Sequence, residues 1–472
     1  MKILIENGNV CSLDLPLKFA QKLYNEFAIR HPNAFYLRTR QRGMQNWDGK
    51  IHYITKTGQF KIGLLPKVYD MCIEMGIKPK VVDMRQPLPK VSKVVTNIGK
   101  YKLRPEQEKA VKAVINNKIG NTPFHIGVLD YTVNAGKTLI MSSLYLSYKK
   151  QLKTLLITND SDWLNQAREE FKQYLPGEDI TFVQGKVLNW SNFTIGMVQS
   201  ISRNMRFYQK ELSQIDMVLV DEADQGGSKQ YQNVITRLFN TRIRIGLSGT
   251  IYMSKLAKDK VKNMNLECFF GKVIAEFKLK DSIKKGYSTK TVVKMVPGKP
   301  WYGNWESDCI SYKEIYDDSI TNCYTAWLMA YNRLLWNLNQ GRYPALVVCK
   351  HIAHCENLYK FFKKKLGDAY NIAYVHVNTP SKLRQQIMKD FREGKIDILV
   401  STTIIARGKN FPKLKYLLNT ASMDSQEKSI QFLGRLVRTD ESKNKVYLDD
   451  LHYPGNYLDR HGKHRKQYYQ RQ

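Results

Sequence analysis

The chain has 472 residues, with 75 Lys and Arg against 42 Asp and Glu, a formal net charge of +33. Its 43% hydrophobic and 11% aromatic content exclude a disordered polycation, because that much apolar surface can offset the ordering entropy of about three domains. The charge points to a polyanionic partner, nucleic acid or an anionic membrane surface, without saying what is done to it.

The opening Met1-Lys2-Ile3-Leu4-Ile5-Glu6 is interrupted by a carboxylate too early for a signal peptide. No stretch approaches the ~18 continuous apolar residues of a membrane span. Cys11, Cys72, Cys268, Cys309, Cys323, Cys349 and Cys355 are scattered and include no C-x-x-C. That pattern predicts reduced thiols and a cytoplasmic location rather than a disulfide framework.

Residues 1–95 read as a first, small α+β unit. A short strand is followed by a helical stretch over Leu17–Arg30, for which Pro16 suits the first turn, and then by a β-rich run from Phe35 to Leu65. Within Tyr36–Arg42 the arginines alternate, so in a strand Arg38, Arg40 and Arg42 share one face at spacings of about 6.8 Å. Residues 38–67 hold seven Lys/Arg and one acid, Asp48. With Trp47, Lys50 and Tyr53 nearby, this stripe suits a phosphate backbone and a stacking platform, while Trp47 suits a small-domain core equally well. An ordinary solvated sheet face would carry the same arginine alternation. Pro87, Pro89 and Lys90–Lys93 form a linker.

From about residue 99, apolar strands alternate with helical segments, the signature of parallel α/β sheets. The predicted strands are His125–Leu129, Thr154–Thr158, Thr194–Val198, Met217–Val220 and Ile243–Leu247. A second series follows at Leu346–Cys349, Ala373–Val377, Ile396–Ser401, Tyr416–Thr420 and Lys445–Leu448. The economical division is two tandem α/β domains, 96–275 and 276–472.

Asn134-Ala135-Gly136-Lys137-Thr138 follows a strand and precedes a helical stretch, Leu139–Lys150. Such a junction places backbone N–H groups and a helix N-terminus around a phosphate chain, with Lys137 reaching the β/γ-phosphates and the Thr138 hydroxyl on Mg²⁺. The strict phosphate-loop pattern has Gly where this chain has Tyr131. Downstream, Met217–Val220 runs into Asp221-Glu222-Ala223-Asp224. Carboxylates at a strand tip sit where ligands bind in such sheets, Asp221 to hold Mg²⁺ and Glu222 to polarise an attacking water. Cys349, His351, His354 and Cys355 match no common zinc spacing; Cys349 is placed at a strand end, His354 and Cys355 in the next helix. In Gln431-Phe432-Leu433-Gly434-Arg435-Leu436-Val437-Arg438, Arg435 and Arg438 at i and i+3 share a helix face, either as fingers for a γ-phosphate or as solvated surface.

Together these motifs resemble the superfamily 2 helicase/translocase core, over roughly residues 99–472. The resemblance implies two RecA-like domains with ATP between them and Mg²⁺ as cofactor. It makes Arg104-Pro105-x-Gln107 the adenine-recognition element and Asn134–Thr138 the phosphate loop. Thr158, Leu164, Gln166 and Val198-Gln199-Ser200 become strand-tracking residues, and Ser248-Gly249-Thr250 couples nucleotide state to closure. In the second domain it makes Lys350-His351 and Ser401-Thr402-Thr403 backbone contacts, and it places Gly408, Asn410, Gln431, Arg435 and Arg438 at the nucleotide. Many relatives carry Asp where this chain has Asn410. The Asp-Glu-Ala-Asp spelling is shared with the RNA helicases named for it, but their last motif begins with His where this chain has Gln431.

Asn46-Trp47-Asp48-Gly49-Lys50, with a hairpin-like Ile51–Leu65, resembles the N-terminal domain of the UvsW-type phage helicases. That resemblance implies a 3′-to-5′ enzyme on branched DNA (forks, four-way junctions, R-loops), in the host cytoplasm if phage-encoded. It leaves RNA a place within RNA–DNA hybrids, no membrane partner and no evident obligate protein partner. An RNA remodeller, or a duplex-DNA translocase without strand separation, is the alternative. Arg460–Gln472, with five Lys/Arg and no acid, is expected to be a nucleic-acid-binding tail or a frayed terminus.

Overall fold

The computed structural model describes all residues except 41–42, 149–150, 160, 186–188, 252–258, 299–310, 407–410 and 471–472, and omits the side chains at 162, 406, 426, 427, 435 and 456. Among the described residues, no helix is long and apolar enough to cross a membrane. The chain divides into two compact units, Met1–Lys278 and Leu279–Gln472.

Each unit is built on a parallel sheet whose central strands are buried on both faces, which is why they read as continuous apolar runs. In the first unit the order is Ile180–Val183, Phe193–Met197, Thr154–Thr158, Met217–Asp221, Ile243–Ser248, His125–Tyr131, Val273–Phe277. In the second it is Lys290–Pro297, Lys445–His452, Tyr416–Asn419, Ala345–Cys349, Ile398–Thr402, Ile372–Val375. Every pairing in both sheets is parallel. The fold is therefore two tandem RecA-like α/β domains, preceded by a small basic α+β element.

That element carries a four-stranded sheet in the order Phe60–Lys61, Val10–Asp14, Lys2–Ile5, Lys80–Asp83. Its core residues Ile3, Ile5, Leu64 and Val68 belong to the same apolar cluster as Ile126, Val128, Val220 and Phe270 of the seven-stranded sheet. Arg244 deepens this union. Fully buried, it donates to Gly8 O (2.5 Å), Asn9 Oδ1 (2.8 Å) and Phe269 O (3.2 Å). Gly8 is packed so closely that a Cβ there would lie 2.5 Å from Leu238 O. The predicted linker is tied down as well: Arg242 donates to Gln86 O and Pro87 O, and Val95 bonds both Ser143 and Ser147.

Three local expectations are corrected. The helix Leu17–Arg30 ends at Glu26, because Ala28–Arg30 pairs as a strand with Lys50–His52. The β-rich run is interrupted: Ala34–Arg40 is a helix, and Leu65 starts another helix, Leu65–Glu74. Arg38 and Arg40 therefore lie about 200° apart around a helix axis instead of sharing a strand face, and Arg42 lies outside the described residues. Arg460–Gln470 is neither tail nor frayed end. It belongs to the helix Asn456–Gln470, whose Arg465 is fully buried and donates to both carboxylate oxygens of Asp450, itself fully buried (2.8–3.0 Å). Asp450 also accepts from Tyr469 and Asn419, each at 2.7 Å.

Candidate active site

The strand His125–Tyr131 is buried throughout and delivers the chain to a five-residue turn, Thr132–Gly136, before the helix Lys137–Ser147. Asn134 (φ 66°) and Gly136 (φ 69°) both take the left-handed conformation that turns backbone N–H groups inward. Tyr131, which replaces the usual loop glycine, is a core residue whose hydroxyl donates to Glu106 O at 2.8 Å. The departure is absorbed because the turn begins one residue later.

Arg104 and Gln107 hold this turn from outside. Gln107 is 1% exposed; its side-chain oxygen accepts from Arg104 N (2.8 Å) and its amide donates to Ala135 O (2.8 Å), while Arg104 donates to Asn134 O (3.3 Å). A Cβ on Gly136 would lie 2.2 Å from the Gln107 amide nitrogen. The glycine is therefore demanded twice, by φ and by this approach.

Met217–Asp221 lies one strand away, separated from His125–Tyr131 by Ile243–Ser248. All three strand tips carry candidate residues. Lys137 Nζ stands 4.0 Å from Asp221 Oδ1, the lysine partly exposed and the carboxylate buried. Glu222 is left-handed (φ 51°), which breaks the strand direction at the tip. Asp224, 3% exposed, accepts from Ser248 Oγ at 2.8 Å, and Ser248 Oγ in turn accepts from Thr250 N at 3.1 Å. Gly249 packs on the turn, where a Cβ would meet Thr132 Cα at 3.0 Å. Thr138 opens the helix beside Lys137. A hydroxyl and a buried carboxylate are the hard oxygen donors that Mg²⁺ takes, so Thr138 and Asp221 fit that ion.

A side-chain chain missed by motif reading leads out of this site. Gln225 donates to Glu222 Oε2 (3.4 Å), Asn159 donates to Gln225 Oε1, and Gln199 donates to Asn159 O (3.4 Å). Ser200 Oγ accepts from Gly185 N at 2.9 Å. No sequence spacing announces Asn159 or Gln225; the sheet order brings them together.

In the second unit, Lys350 Nζ stands 3.8 Å over the Tyr312 ring, and His351 meets Tyr316 edge-on at 4.8 Å. Burial lowers the pKa of both. Cys349 ends its strand; in the helix Ile352–Leu366 that follows, His354 Nδ1 hydrogen-bonds the Tyr316 hydroxyl (2.9 Å) and Cys355 Sγ donates to Val400 O. Thr402 closes the buried strand Ile398–Thr402, and Thr403 Oγ1 accepts from Lys428 Nζ. Gln431 and Arg435 lie on the helix Gln426–Leu436, but Arg438 does not. The helix ends because Lys443 Nζ caps Leu436 O (3.0 Å) and Thr289 N takes Val437 O (2.9 Å), so the i, i+3 argument for a shared helical face fails for this pair. Gly408 and Asn410 lie outside the described residues.

Of the proposed nucleic-acid residues near the N-terminus, Trp47 is only partly exposed. Its Nε1 donates to Lys50 O (2.9 Å) and its ring meets His31 edge-on at 5.7 Å.

Comparison with known proteins gives the class. Residues 100–253 match the family described as type III restriction enzyme, res subunit, and residues 328–440 match the helicase conserved C-terminal domain. The two matches lie in tandem, one in each unit of the chain. It is 22% identical over 385 residues to a helicase of Sulfolobus islandicus filamentous virus (isolate Iceland/Hveragerdi), covering 75% of this chain and 64% of the relative. It is 23% identical over 377 residues to the ATP-dependent helicase IRC3 of Saccharomyces cerevisiae, covering 74% and 51%. The chain thus spans less than two thirds of the length of these curated relatives. The fold is shared with S. cerevisiae Dbp5 bound to RNA and ADP BeF3 (TM-score 0.53, 14% identity, 78% of this chain and 88% of that one). UvsW of bacteriophage T4 aligns over 100% of this chain and 97% of its own, with 19% identity and a TM-score of 0.46.

Proposed function

We propose that this protein is an ATP- and Mg²⁺-dependent DNA helicase or translocase acting on forks, four-way junctions or R-loops with 3′-to-5′ polarity. The observation that carries the catalytic half is the Lys137–Asp221 approach at the tips of the central strands, beside Glu222 and the Asp224–Ser248–Thr250 chain. The branched-DNA half rests on the resemblance of the N-terminal element to the UvsW type and on the +33 charge.

In this reading the N–H groups of Asn134–Thr138 receive the phosphates of ATP, Lys137 binds the β/γ-phosphates, and Arg104 and Gln107 brace the turn toward the adenine. Thr138 and Asp221 would hold Mg²⁺, which when bound offsets charge on the transferred phosphoryl group. Glu222 takes a proton from the attacking water. Gln431, Arg435 and Arg438 of the second unit meet the γ-phosphate side when the domains close, with Gly408 and Asn410 at the same nucleotide. Gln199, Ser200, Lys350, His351, Thr402 and Thr403 hold the tracked strand, and the N-terminal arginines and Lys50 receive a duplex arm.

The test is ATPase stimulation and unwinding across single-stranded, forked and four-way DNA and RNA duplexes at stated salt, since phosphate contacts make affinity fall steeply with ionic strength. ATP-dependent opening of forked and four-way DNA is expected. Failure on both, while short RNA duplexes open, overturns the DNA reading.

A further inference from the structure

The helix Ala34–Arg40 raises a question that folding does not answer. Phe35 is 80% exposed and Tyr36 54% exposed on the same short helix. Burying an apolar ring is favourable, so one left in water on an ordered helix is a stability forgone. The helix is not loose. Ala34 is buried, and Gly49 (φ 77°) approaches it so closely that a Cβ there would lie 3.1 Å from Ala34 Cβ. His31 N donates to Gly49 O at 2.8 Å, Ala34 N to His31 O at 3.0 Å, and Leu37 N to Asn33 O at 3.0 Å.

The helix carries its rings and charges in register. Phe35 and Arg38 are at i, i+3, and Tyr36 and Arg40 are at i, i+4, so each ring has a guanidinium about one turn away on its own side. Arg40 lies 5.0 Å over the Tyr36 ring. Between Glu26 and Asp48 the sequence contains four arginines and no carboxylate. A ring that can stack, paired with a cation that can take a phosphate, is the chemistry of an unpaired nucleotide. Trp47, the aromatic that the sequence singles out, is engaged through its nitrogen and ring edge and leaves this role to Phe35 and Tyr36.

We propose that Phe35 and Tyr36 form a base-stacking site for unpaired nucleotides at the branch point of DNA, with Arg38 and Arg40 on the flanking phosphates. This deepens the DNA reading above and rests on it. The site takes the first unpaired base where duplex arms separate, and is charge-complementary to nothing apolar or cationic.

The test uses the full chain and forked DNA with 2-aminopurine at the branch point, without ATP. Wild-type protein should change the probe's fluorescence on binding. Phe35→Ala/Tyr36→Ala should abolish that change and weaken fork binding roughly 10-fold or more, without altering the slope of log K against log salt. Arg38→Gln and Arg40→Gln should each reduce that slope by about one. Phe35→Trp should keep fork binding and report it through its own quenching, which also shows that the helix is intact. An unchanged probe signal and fork affinity in the double alanine variant overturn the proposal, as does self-association of the wild-type chain that the double variant loses. Because this readout is binding, wild-type protein that binds forks in this way but does not unwind them counts against the helicase reading alone.

Discussion

In the proposed mechanism, Glu222 and Lys137 have separable roles at the level of single side chains. Glu222→Gln removes a base but no phosphate or metal-binding group, so turnover should fall at least about 100-fold while nucleotide and DNA binding stay near wild type. Lys137→Ala should abolish ATPase and weaken ATP binding together. Steady-state kinetics with a nucleotide-binding assay separates the two, and a Glu222→Gln variant hydrolysing at the parental rate would falsify the assignment. Gly136→Ala meets a left-handed φ and the Gln107 amide at 2.2 Å. Left-handed strain alone costs about 1–2 kcal/mol, so KM for ATP should rise about tenfold or more. His354 supplies a pH test. Burial first, and the neighbouring His351 second, lower its pKa to about 3. The fold therefore keeps it neutral while the unfolded chain binds a proton below pH 6.5. Its contribution is full above 6.5 and is lost as pH falls toward 3, by about 2 kcal/mol at pH 5. Urea unfolding between pH 7.5 and 5 should show a shallower loss in His354→Gln.

The C-terminal helix is the element whose role motif reading did not reach. Besides the Arg465–Asp450 pair, it holds the segment that leads into the helix of Gln431 and Arg435. Arg465 donates to Met423 O (2.9 Å), His464 and Tyr468 bond Asp424 (3.0 and 3.2 Å), and His461 bonds Ser422 O (3.3 Å). The neighbouring Ser425 then caps that helix by accepting from Lys428 N. Removing one member of a buried ion pair leaves the other charge unpaired, so Arg465→Ala should destabilise the second unit by about 3–5 kcal/mol in denaturant titration. Replacement by Met, which fills similar volume, leaves Asp450 equally unpaired and should not rescue. The N-terminal helix Ala34–Arg40 gives the opposite lesson: its arginine alternation suits a strand, but Ala34 docks on Gly49 and the segment coils as a helix.

Across the first unit, one apolar core joins the N-terminal sheet to the seven-stranded sheet, with Arg244 as its polar bolt. Burial lowers its guanidinium pKa to about 9, still charged at pH 7, and it donates to the carbonyl oxygens of Gly8, Phe269 and the Asn9 side chain. Arg244→Ala opens a cavity and strips three acceptors of their donor. A loss of roughly 3 kcal/mol or more is expected, with faster proteolysis near residues 84–96 as the N-terminal sheet loosens. A variant of unchanged stability would show that the apolar contacts alone hold the two sheets together.

The sequence by itself determined the two parallel sheets, nearly every central strand, the strand–turn–helix around Asn134–Thr138 and the strand tip that carries Asp221-Glu222-Ala223-Asp224. Those are local signals: a strand buried on both faces is apolar along its own length, and Gly-Lys-Thr before a helix is contiguous. It did not determine what the basic residues do. Arg40, Arg244, Arg438 and Arg465 look alike in sequence, yet one is exposed over the Tyr36 ring, two are buried, and one lies past a helix end. Tertiary structure decided this because a cation's fate depends on which oxygens come near it. Arg244 meets Gly8 across 236 positions of chain, and Arg465 meets Asp450 only because a helix folds back on its strand. Periodicity reports where apolar side chains are buried; it carries no information about the distant partner that makes a buried charge tolerable.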